Sequence, residues 1–413
     1  MSSPRTVDEH AAVVSALLDP GPARRTEDVP LGAALGRVLG ADVVAAVSLP
    51  SFDNSAMDGY AVRAAELAGA RADAPVVLPV AEDVPAGRID RPPLAPGTVH
   101  RIMTGAPLPP GADAVLPVEQ TDGGTTTVAL REVPQVGAFV RRAGEDVTAG
   151  EVVLTAGTVL GPAQIGVAAA VGAATVPLRR RPVVLVLSTG SELVAPGEPL
   201  RPGQIYESNG PMLAAAVAEA GGRAELLRFV PDDVEEFLAR LREQLADRPA
   251  ADRVDLVLTS GGVSAGAYEV VKDAFTGRGV EFVKVAMQPG GPQGAGRVAD
   301  LGGVAVVTLP GNPVSSHVSF EVFVRPALRA ALGHPAARRS VVTAVLGERW
   351  TSPRGRRQFR RGVLDVDGVV REVGTAASHM LGALARAECL VVVPEDAEVV
   401  EPGTPVEIWP LSG

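Results

Sequence analysis

The chain has 413 residues and a formal net charge of −10, because 38 Lys and Arg are outnumbered by 48 Asp and Glu. A prior of about 150 residues per domain indicates a multidomain globular protein. The acidic balance excludes a global field that would attract nucleic acid or an anionic membrane. A single cysteine, Cys389, excludes a disulfide framework, an iron–sulfur cluster and a thiolate zinc site, and the five scattered histidines do not favour a histidine zinc site.

The N-terminus lacks an apolar signal core, which predicts a cytoplasmic protein. The uncharged stretch 154–178 is long enough to cross a bilayer. It contains glycines and prolines at 157, 161, 162, 166, 172 and 177. Because these residues favour turns, we interpret the stretch as a strand, a buried helix and turns within a core.

Residues 43–147 are divided into short strand-like segments by Pro and Gly, and the basic segment 179–182 is interpreted as a linker. After it, apolar strands alternate with helical patterns. Strands are predicted at 183–187, 224–230, 254–258, 281–286 and 304–309, and helices at 211–220, 233–246, 268–275 and 314–332. Ser208 or Asn209 is expected to cap the first helix, and Asp232 or Asp233 the second. This alternation predicts a parallel sheet covered by helices on both faces.

Beyond Leu332, strand-like segments at 341–346, 359–364, 389–393 and 406–409 predict a small β-barrel or sandwich. The apolar run that begins at Cys389 predicts a buried strand residue and not a reactive thiol.

Turns rich in Gly, Ser, Thr and Asn follow three strands of the predicted sheet, at 188–192, 260–266 and 310–315. The carboxyl ends of parallel strands share one edge of the sheet, and ligands bind there. Glycine lets backbone N–H groups approach an anion, and helix N-termini favour negative charge. A single such turn would be an ordinary connection, but three on one edge favour a phosphate site.

Four carboxylates lie in or just after strand-end positions of the predicted sheet: Glu192, Asp232, Asp233 and Glu269. They would repel a phosphate unless a hard cation lay between, and Mg²⁺ with one or two carboxylates is the usual solution. The alternatives are a helix cap for the aspartate pair and a solvated turn for Glu192.

Six motifs occur in a fixed order along the chain: Ser55-Ala56-Met57-Asp58-Gly59-Tyr60-Ala61, Thr104-Gly105-Ala106-Pro107, Gly144-Glu145-Asp146, Ser188-Thr189-Gly190-Ser191-Glu192-Leu193, Ser260-Gly261-Gly262-Val263-Ser264 and Leu309-Pro310-Gly311-Asn312-Pro313-Val314-Ser315. With them the chain closely resembles the molybdopterin molybdenumtransferase family, called MoeA in bacteria, which includes the E domain of gephyrin. The resemblance extends nearly from end to end.

The resemblance implies an α/β multidomain fold. A central three-layer parallel α/β domain, molybdopterin-binding-like, would be joined by a β-rich inserted domain and a C-terminal β-barrel. The implied division is an N-terminal helical segment at 1–24 near the central domain, a discontinuous small domain at 25–46 and 143–179, an inserted β-rich domain at 47–142, the central domain at 180–333 and the barrel at 338–413. It also implies a cytoplasmic homodimer with its site at the subunit interface, without nucleic acid or membrane partners.

Enzymes of this kind insert molybdate into adenylylated molybdopterin and release AMP with the help of Mg²⁺. Carried over position by position, the metal and pyrophosphate region would be lined by Glu192, Asp232 and Glu269. The facing subunit would supply Asp58, Thr104 and Asp146 to the catalytic site. Substrate would be bound by Thr189, Gly190, Ser260, Gly261, Gly262, Pro310, Gly311, Asn312, Pro313, Ser315, Arg356 and Ser378. Apart from the resemblance, the basic run 356–361 would be a solvated hairpin face.

The sequence departs from the family in one turn. Where members typically have Lys-Pro-Gly-Lys-Pro, this chain has Gln288-Pro289-Gly290-Gly291-Pro292. Two cations that would attract a dianion are therefore replaced, and Glu269 stands where Asp is usual. Two alternatives to the insertion enzyme stay open at this point: adenylyl transfer to molybdopterin, and a catalytically impaired paralogue that binds pterin or serves as a scaffold.

Overall fold

The structure, a computed structural model, describes residues 4–18, 25–190, 192–228, 233–250, 252–261 and 270–412. Its N-terminal elements are α1 (Val7–Leu18), β1 (Thr26–Pro30), β2 (Val43–Val44), β3 (Asn54–Ser55), β4 (Gly59–Val62), β5 (Val76–Val84), β6 (Val99–Ile102), β7 (Ala114–Pro117), β8 (Thr127–Leu130), β9 (Val140–Arg141), β10 (Val152–Leu154), α2 (Pro162–Ala170) and β11 (Thr175–Arg179). Short 3₁₀ helices lie at Leu31–Ala33, Ala64–Leu67 and Val118–Gln120.

Among its described residues, the N-terminal part has two large hydrophobic clusters and a smaller third one. One lies between the antiparallel pairs β1–β11 and β2–β10 and helix α2, and includes Leu39, Leu160 and Leu178. The other lies in a five-stranded sheet of order β7-β4-β6-β5-β8, around the fully buried Tyr60. The stretch 154–178 forms α2 and its flanking strands, as expected from its glycines and prolines. No helix within the described residues is long and apolar enough to cross a membrane.

The central elements are β12 (Val183–Ser188), β13 (Leu193–Val194), β14 (Ile205–Tyr206), α3 (Asn209–Glu219), β15 (Arg223–Arg228), α4 (Val234–Leu245), β16 (Leu256–Ser260), α5 (Val270–Phe275), β17 (Val280–Lys284), β18 (Met287–Gln288), β19 (Pro292–Val298), β20 (Val304–Leu309), α6 (Pro313–Ser319) and α7 (Arg325–Ala331). A 3₁₀ helix at Ala299–Leu301 precedes β20.

Six of these strands form one sheet of order β15-β12-β16-β20-β19-β17. The first four are mutually parallel, as predicted, and hydrophobic clusters cover both faces of the sheet. Strand β19 was not predicted, and it runs antiparallel to both neighbours, so the sheet is mixed. Its glycines made it resemble a turn, but they serve packing. A Cβ built on Gly296 would overlap the Gly279 carbonyl oxygen.

The helix predicted at 314–332 is interrupted. Helices α6 and α7 are joined by a π-helical turn at Phe320–Val324. Pro326, in the first turn of α7, has no N–H to donate to a carbonyl one turn earlier, which accounts for the local change in hydrogen bonding. The π turn places Glu321 in a buried ionic cluster, where it accepts a hydrogen bond from Arg339 Nε at 2.6 Å and lies 3.4 Å from Arg325 Nε. This cluster ties the central helices to the segment that enters the C-terminal part.

The C-terminal elements are β21 (Val342–Leu346), β22 (Trp350–Thr351), β23 (Arg357–Leu364), β24 (Val369–Glu372), α8 (Leu381–Leu384), β25 (Cys389–Val393), β26 (Val399–Val400) and β27 (Pro405–Pro410). Five strands close into a barrel of order β23-β24-β21-β27-β25, with β25 pairing back to β23. Strand β18 of the central part pairs with β23 and so joins the barrel to the central domain. Cys389 is buried, and burial raises its thiol pKa to about 11, as its apolar run predicts.

Helix α1 begins with a capping box, in which Thr6 Oγ1 accepts from the Glu9 N–H and the Glu9 carboxylate accepts from the Thr6 N–H. The helix packs on α7 and the π turn and buries His10 completely, edge-on to Phe323. The exact domain boundaries stay a prediction.

We expect His10 to make the protein less stable in acid. Burial, together with a smaller effect of the nearby Arg5 charge, lowers the pKa of His10 from 6.5 to about 4. The unfolded chain therefore binds an extra proton below pH 6.5, so this contribution is complete above that pH and is lost as the pH falls toward 4. From pH 7.5 to pH 5 the loss is about 2 kcal/mol.

Urea unfolding of His10→Leu at both pH values measures the effect. The variant should lose less stability than the wild type on acidification, by about that amount. Equal pH slopes for the two proteins would contradict the expectation. His379→Leu is the matched control, because His379 is exposed.

Candidate active site

Three strand ends meet at the carboxyl edge of the central sheet. The Thr189 N–H, after β12, donates to the carbonyl of Ser260 at the end of β16 (3.4 Å). The Gly261 N–H donates to the carbonyl of Leu309 at the end of β20 (3.2 Å). The predicted convergence of these turns is confirmed for the residues that the structure describes, although successive turns are about 50 to 70 positions apart in sequence.

Glycine is required at the centre of this edge. Gly261 has a φ of +100°, and a Cβ there would lie 2.9 Å from the carbonyl oxygen of Thr189. A Cβ on Gly311 would lie 3.3 Å from the Gly261 Cα, so the two turns are in close backbone contact. Gly311 is exposed, so the edge presents main chain there, whereas Gly261 is buried. Such a surface can take an anion against backbone N–H groups.

Asn209 connects two of these turns, a role the sequence did not reveal. Its Nδ2 donates to Ser260 Oγ and to the Gly311 carbonyl, both at 2.7 Å. Its Oδ1 is buried without a hydrogen-bond partner among the described residues. Ser316 Oγ in α6 lies 3.3 Å from Ser260 Oγ and completes the polar group. An unpartnered buried amide oxygen beside exposed backbone indicates a place for a polar ligand.

Asn209 is free for this task because another residue caps α3. Ser208 occupies the N-cap position, as predicted, but its side chain makes no capping hydrogen bond. Instead, the carboxylate of Glu207 accepts from the Gly210 N–H at 2.6 Å. A carboxylate at a helix N-terminus is favoured electrostatically.

Of the three carboxylates predicted to bind a metal ion, Glu192 is the one that lies within the described residues. It is exposed, and its carboxylate lies against the Cα of Gly190 in the turn after β12. Asp232, Glu269 and Gly262 lie outside the described residues, as do Ser191 and Ser264. Asp233 is a helix cap, as one alternative predicted, since its Oδ1 accepts from the Glu236 N–H at 2.8 Å. The described residues contain no group of three or more acidic, His or Cys side chains that could hold a metal ion.

A loop of the C-terminal barrel reaches the same edge. Asn312 Nδ2 donates to Ser378 Oγ at 2.9 Å, and the Val314 N–H donates to the Ser378 carbonyl at 3.2 Å. The Pro310-Gly311-Asn312-Pro313 turn, with Pro310 buried and the next residues more exposed, thus holds Ser378 at the strand ends. Ser315, in the first turn of α6, is 4% exposed and lies beneath this turn.

The Ser378 loop is held by Arg361, which the sequence did not single out. Arg361 is 2% exposed and donates to the carbonyl oxygens of Thr375 and Ala377. The interpretation of 356–361 as a solvated face is therefore wrong for Arg360 and Arg361, whose strand β23 lies within the barrel. Arg356 is exposed next to β23 and makes no ion pair within the described ranges. The strand period of two could not locate Arg361, because Arg360 and Arg361 are both buried.

The second predicted group of residues lies in the N-terminal part. Asp58 Oδ1 accepts from the Thr104 N–H at 2.6 Å and from Thr104 Oγ1 at 2.7 Å. Both residues are exposed, and the Thr104 hydrogen bonds lower the pKa of Asp58. Asp146 is also exposed, and its loop is fixed because its N–H donates to the Leu49 carbonyl and the Gly144 N–H donates to the Pro50 carbonyl. All three motifs thus pack on the segment that carries Asp58.

The two groups do not touch within one subunit. Across the described parts of the chain, no hydrogen bond or ion pair joins residues 47–147 to the central sheet or the barrel. The described residues therefore contain two separate groups, which we call half-sites: an exposed carboxylate loop around Asp58 and the strand edge with exposed backbone at Gly311.

Comparisons with known proteins identify the chain. Three family models match it in order: "MoeA N-terminal region (domain I and II)" at residues 5–172, "Probable molybdopterin binding domain" at 185–330 and "MoeA C-terminal region (domain IV)" at 343–411. Together they span the N-terminal part, the central sheet and the barrel.

Two proteins similar to this chain are named as molybdopterin molybdenumtransferases. The chain is 56% identical to "Molybdopterin molybdenumtransferase 2" of Mycobacterium tuberculosis, over 99% of this chain and 100% of that protein. It is 34% identical to "Molybdopterin molybdenumtransferase" of Bacillus subtilis, over 93% and 89%. A crystal structure of a molybdopterin biosynthesis MoeA protein from Pyrococcus horikoshii covers 100% of both chains, with a TM-score of 0.81 and 31% identity. The chain belongs to the MoeA family.

Proposed function

We propose that this chain is a molybdopterin molybdenumtransferase of molybdenum cofactor biosynthesis. It inserts molybdate into adenylylated molybdopterin and releases AMP. The observation that carries the proposal is the carboxyl edge of the central sheet, where three glycine-containing turns and the Ser378 loop surround exposed backbone. Family membership supports the reaction, and the geometry supports a phosphorylated substrate.

In this proposal the edge binds the phosphates. Backbone is exposed at Gly311 and half-buried at Thr189–Gly190, and Asn209 fixes the spacing of Ser260 and Gly311 through its two hydrogen bonds. Preorganised hydrogen-bond donors stabilise the negative charge that develops when a phosphoanhydride is cleaved. The proposed reaction needs this stabilisation more than it needs a side-chain nucleophile. The hydrogen bond between Asn312 and Ser378 holds these two side chains in place. They would orient the end of the substrate that lies away from the phosphates.

Magnesium fits the residues present. Glu192 offers an exposed carboxylate beside the turn, and Mg²⁺ commonly uses one or two carboxylates with water completing its shell. With it we propose Asp232 and Glu269 as ligands, on the strength of the family resemblance. When bound, the ion would neutralise phosphate charge at the anhydride.

We further propose that the active form is a homodimer in which the partner subunit supplies Asp58, Thr104 and Asp146. The support is the separation of the two half-sites within one chain and the exposure of the Asp58 loop. The pKa of Asp58 is lowered by its Thr104 hydrogen bonds, so the carboxylate would be charged where it meets the substrate. A cytoplasmic location stays a prediction.

The test uses purified protein with adenylylated molybdopterin, molybdate and Mg²⁺. We expect AMP release that depends on molybdate, together with formation of molybdenum cofactor. Background levels of both products would overturn the proposal. Adenylylation of molybdopterin from ATP by the pure protein would favour the adenylyl-transfer alternative.

A separate prediction concerns Gln288 and Gly291, which stand where the family typically has lysine. Gln288 Oε1 accepts from Gln358 Nε2 of the barrel at 2.9 Å, and the backbone of Gly291 has its nearest obstacle to a Cβ at 3.4 Å. A Cβ at position 291 therefore meets no close contact, and Lys at position 288 would replace the bond to Gln358. We expect Gln288→Lys with Gly291→Lys to lower the KM for molybdate by at least about thirtyfold, since each charge-assisted bond to a dianion contributes roughly 1–3 kcal/mol.

The matched control is Gln288→Met, which changes the contact with Gln358 without adding charge. It should leave the molybdate KM unchanged. No gain from the lysine pair would show that the lost cations do not limit molybdate use in this protein.

A further inference from the structure

A basic cavity lies at the opposite end of the central sheet from the candidate active site. Its volume is about 340 Å³, within the range of small-molecule sites. It is bordered by the residues that precede β12, β16 and β20 and by the end of α1. Since β12 is six residues long, the two sites are separated by about 17 Å along the strands.

The charge of this cavity is opposite to that of the whole chain. Five arginines line it, and Asp255 is the one carboxylate among the lining residues that the structure describes. The arginines are Arg25, Arg179, Arg180, Arg253 and Arg297. Five arginines to one carboxylate among the described lining residues stand out in a chain whose net charge is −10.

Asp255 does not neutralise this surplus. Its carboxylate accepts a bidentate bond from Arg180 at 2.6 and 2.7 Å and another bond from the Val183 N–H. The three hydrogen bonds that the Asp255 carboxylate accepts thus come from one guanidinium and from the start of β12. Asp255 therefore does not balance the charges of Arg25, Arg253 and Arg297.

These three arginines have only neutral partners in the described part of the chain. Arg25 donates to the Ala250 carbonyl at 3.0 Å, and Arg253 to the Gly302 carbonyl at 3.3 Å. Arg297 donates to the carbonyls of Gly303 and Leu17 at 3.0 and 2.6 Å. These bonds fix the side chains in place but leave their charges unbalanced and further N–H donors available. Guanidinium groups held in this way suit phosphate oxygens.

We infer that this cavity binds a phosphorylated small molecule bearing at least two negative charges, at a site separate from the strand-end site. The concave shape favours a small ligand over a protein surface. The ligand would contact the end of α1, the linker before β12 and the loops before β16 and β20. Its binding would therefore stabilise the junction between the linker and the central sheet.

The experiment titrates the full chain with inorganic pyrophosphate by calorimetry. The strand-end site of the proposed function could also bind this probe, so it is first blocked with Asn209→Asp, which places a negative charge beside Ser260 and Gly311. We expect Asn209→Asp to bind one pyrophosphate per chain. Adding Arg253→Gln and Arg297→Gln should weaken that binding at least about a hundredfold, or about tenfold for each guanidinium.

Arg131→Gln on the same Asn209→Asp background is the control, because Arg131 is exposed and distant from the cavity in the β-rich part. It should not change the affinity. The thermal midpoints without ligand should agree among the variants, and Arg253→Gln alone serves if the double change does not fold. No binding by Asn209→Asp, or binding that the arginine changes leave intact, would overturn the inference. A failure of the proposed reaction would show in the AMP assay and leave this titration unaffected.

Discussion

Asp58→Asn and Glu192→Gln are each expected to lower the rate of cofactor formation at least about a hundredfold, because each removes a charge from one half of the site. Asn at position 58 keeps the oxygen that accepts from Thr104, so its loop should stay in place. Glu192 is exposed and lies next to glycine, so Gln fits without a packing change. The measurement is AMP release at saturating molybdate and Mg²⁺.

Mixing the two inactive variants should restore activity. If the partner subunit supplies Asp58, a mixed dimer has one site with both substitutions and one with neither. Random exchange makes half of the dimers mixed, with one of two sites intact, so about one quarter of the wild-type rate is expected. The two substitutions combined in one chain should not recover on mixing with themselves.

The mixing experiment distinguishes a site shared between two subunits from a site within one subunit. If both residues act in the same subunit, the mixture remains inactive, and the dimeric site is wrong even though each residue matters. Asp28→Asn is the matched control for charge loss, because Asp28 is exposed on β1 and outside both half-sites. It should retain the full rate alone and in mixtures.

The central sheet could be predicted from sequence where apolar runs were followed by Gly-rich turns. Strands β12, β16 and β20 were found in this way, and the convergence of their ends followed from parallel topology alone. Strand β19 was missed because Gly294 and Gly296 are typical of turns. Their reason is visible only in three dimensions, where Thr308 and Gly279 approach too closely for a side chain.

The candidate site shows the same division. Glycine turns and carboxylates stand out in a sequence, because few structural roles need them in clusters. Asn209 and Arg361 were missed because each acts by hydrogen bonds to residues distant in the chain: Asn209 to Ser260, Arg361 to Thr375. Nothing in the local pattern distinguishes an asparagine near a helix start from a cap, or a buried arginine from a solvated one. The buried partners of such residues are set by the tertiary fold.

Gly59→Ala is expected to destabilise the N-terminal part by at least about 2–3 kcal/mol, which is a large effect for one added methyl group. Gly59 is buried in β4, where it pairs with Ile102 on one side and Pro117 on the other. A Cβ there would overlap the carbonyl oxygen of Leu116 and lie 2.9 Å from its carbonyl carbon. These are backbone atoms of the neighbouring strand, so no side-chain rotation relieves the overlap.

The same change should also impair activity, because β4 begins directly after Asp58. The Asp58 carbonyl accepts from the Val118 N–H at 3.0 Å, so a shift of β4 away from β7 moves the carboxylate relative to Thr104. Stability is measured by thermal unfolding, and the position of Asp58 by the AMP assay on protein that remains folded.

Gly166→Ala is the matched control. Gly166 is exposed in the middle of α2, has no obstacle to a Cβ within 4 Å and lies outside both half-sites. Alanine should stabilise that helix by up to about 1 kcal/mol, the opposite sign from position 59. Equal midpoints for the two glycine variants would contradict this account. Both changes add one methyl group, and neither glycine has a positive φ. The difference in stability between the two variants therefore measures the contact of position 59 with β7. This contact is the reason that glycine precedes Tyr60.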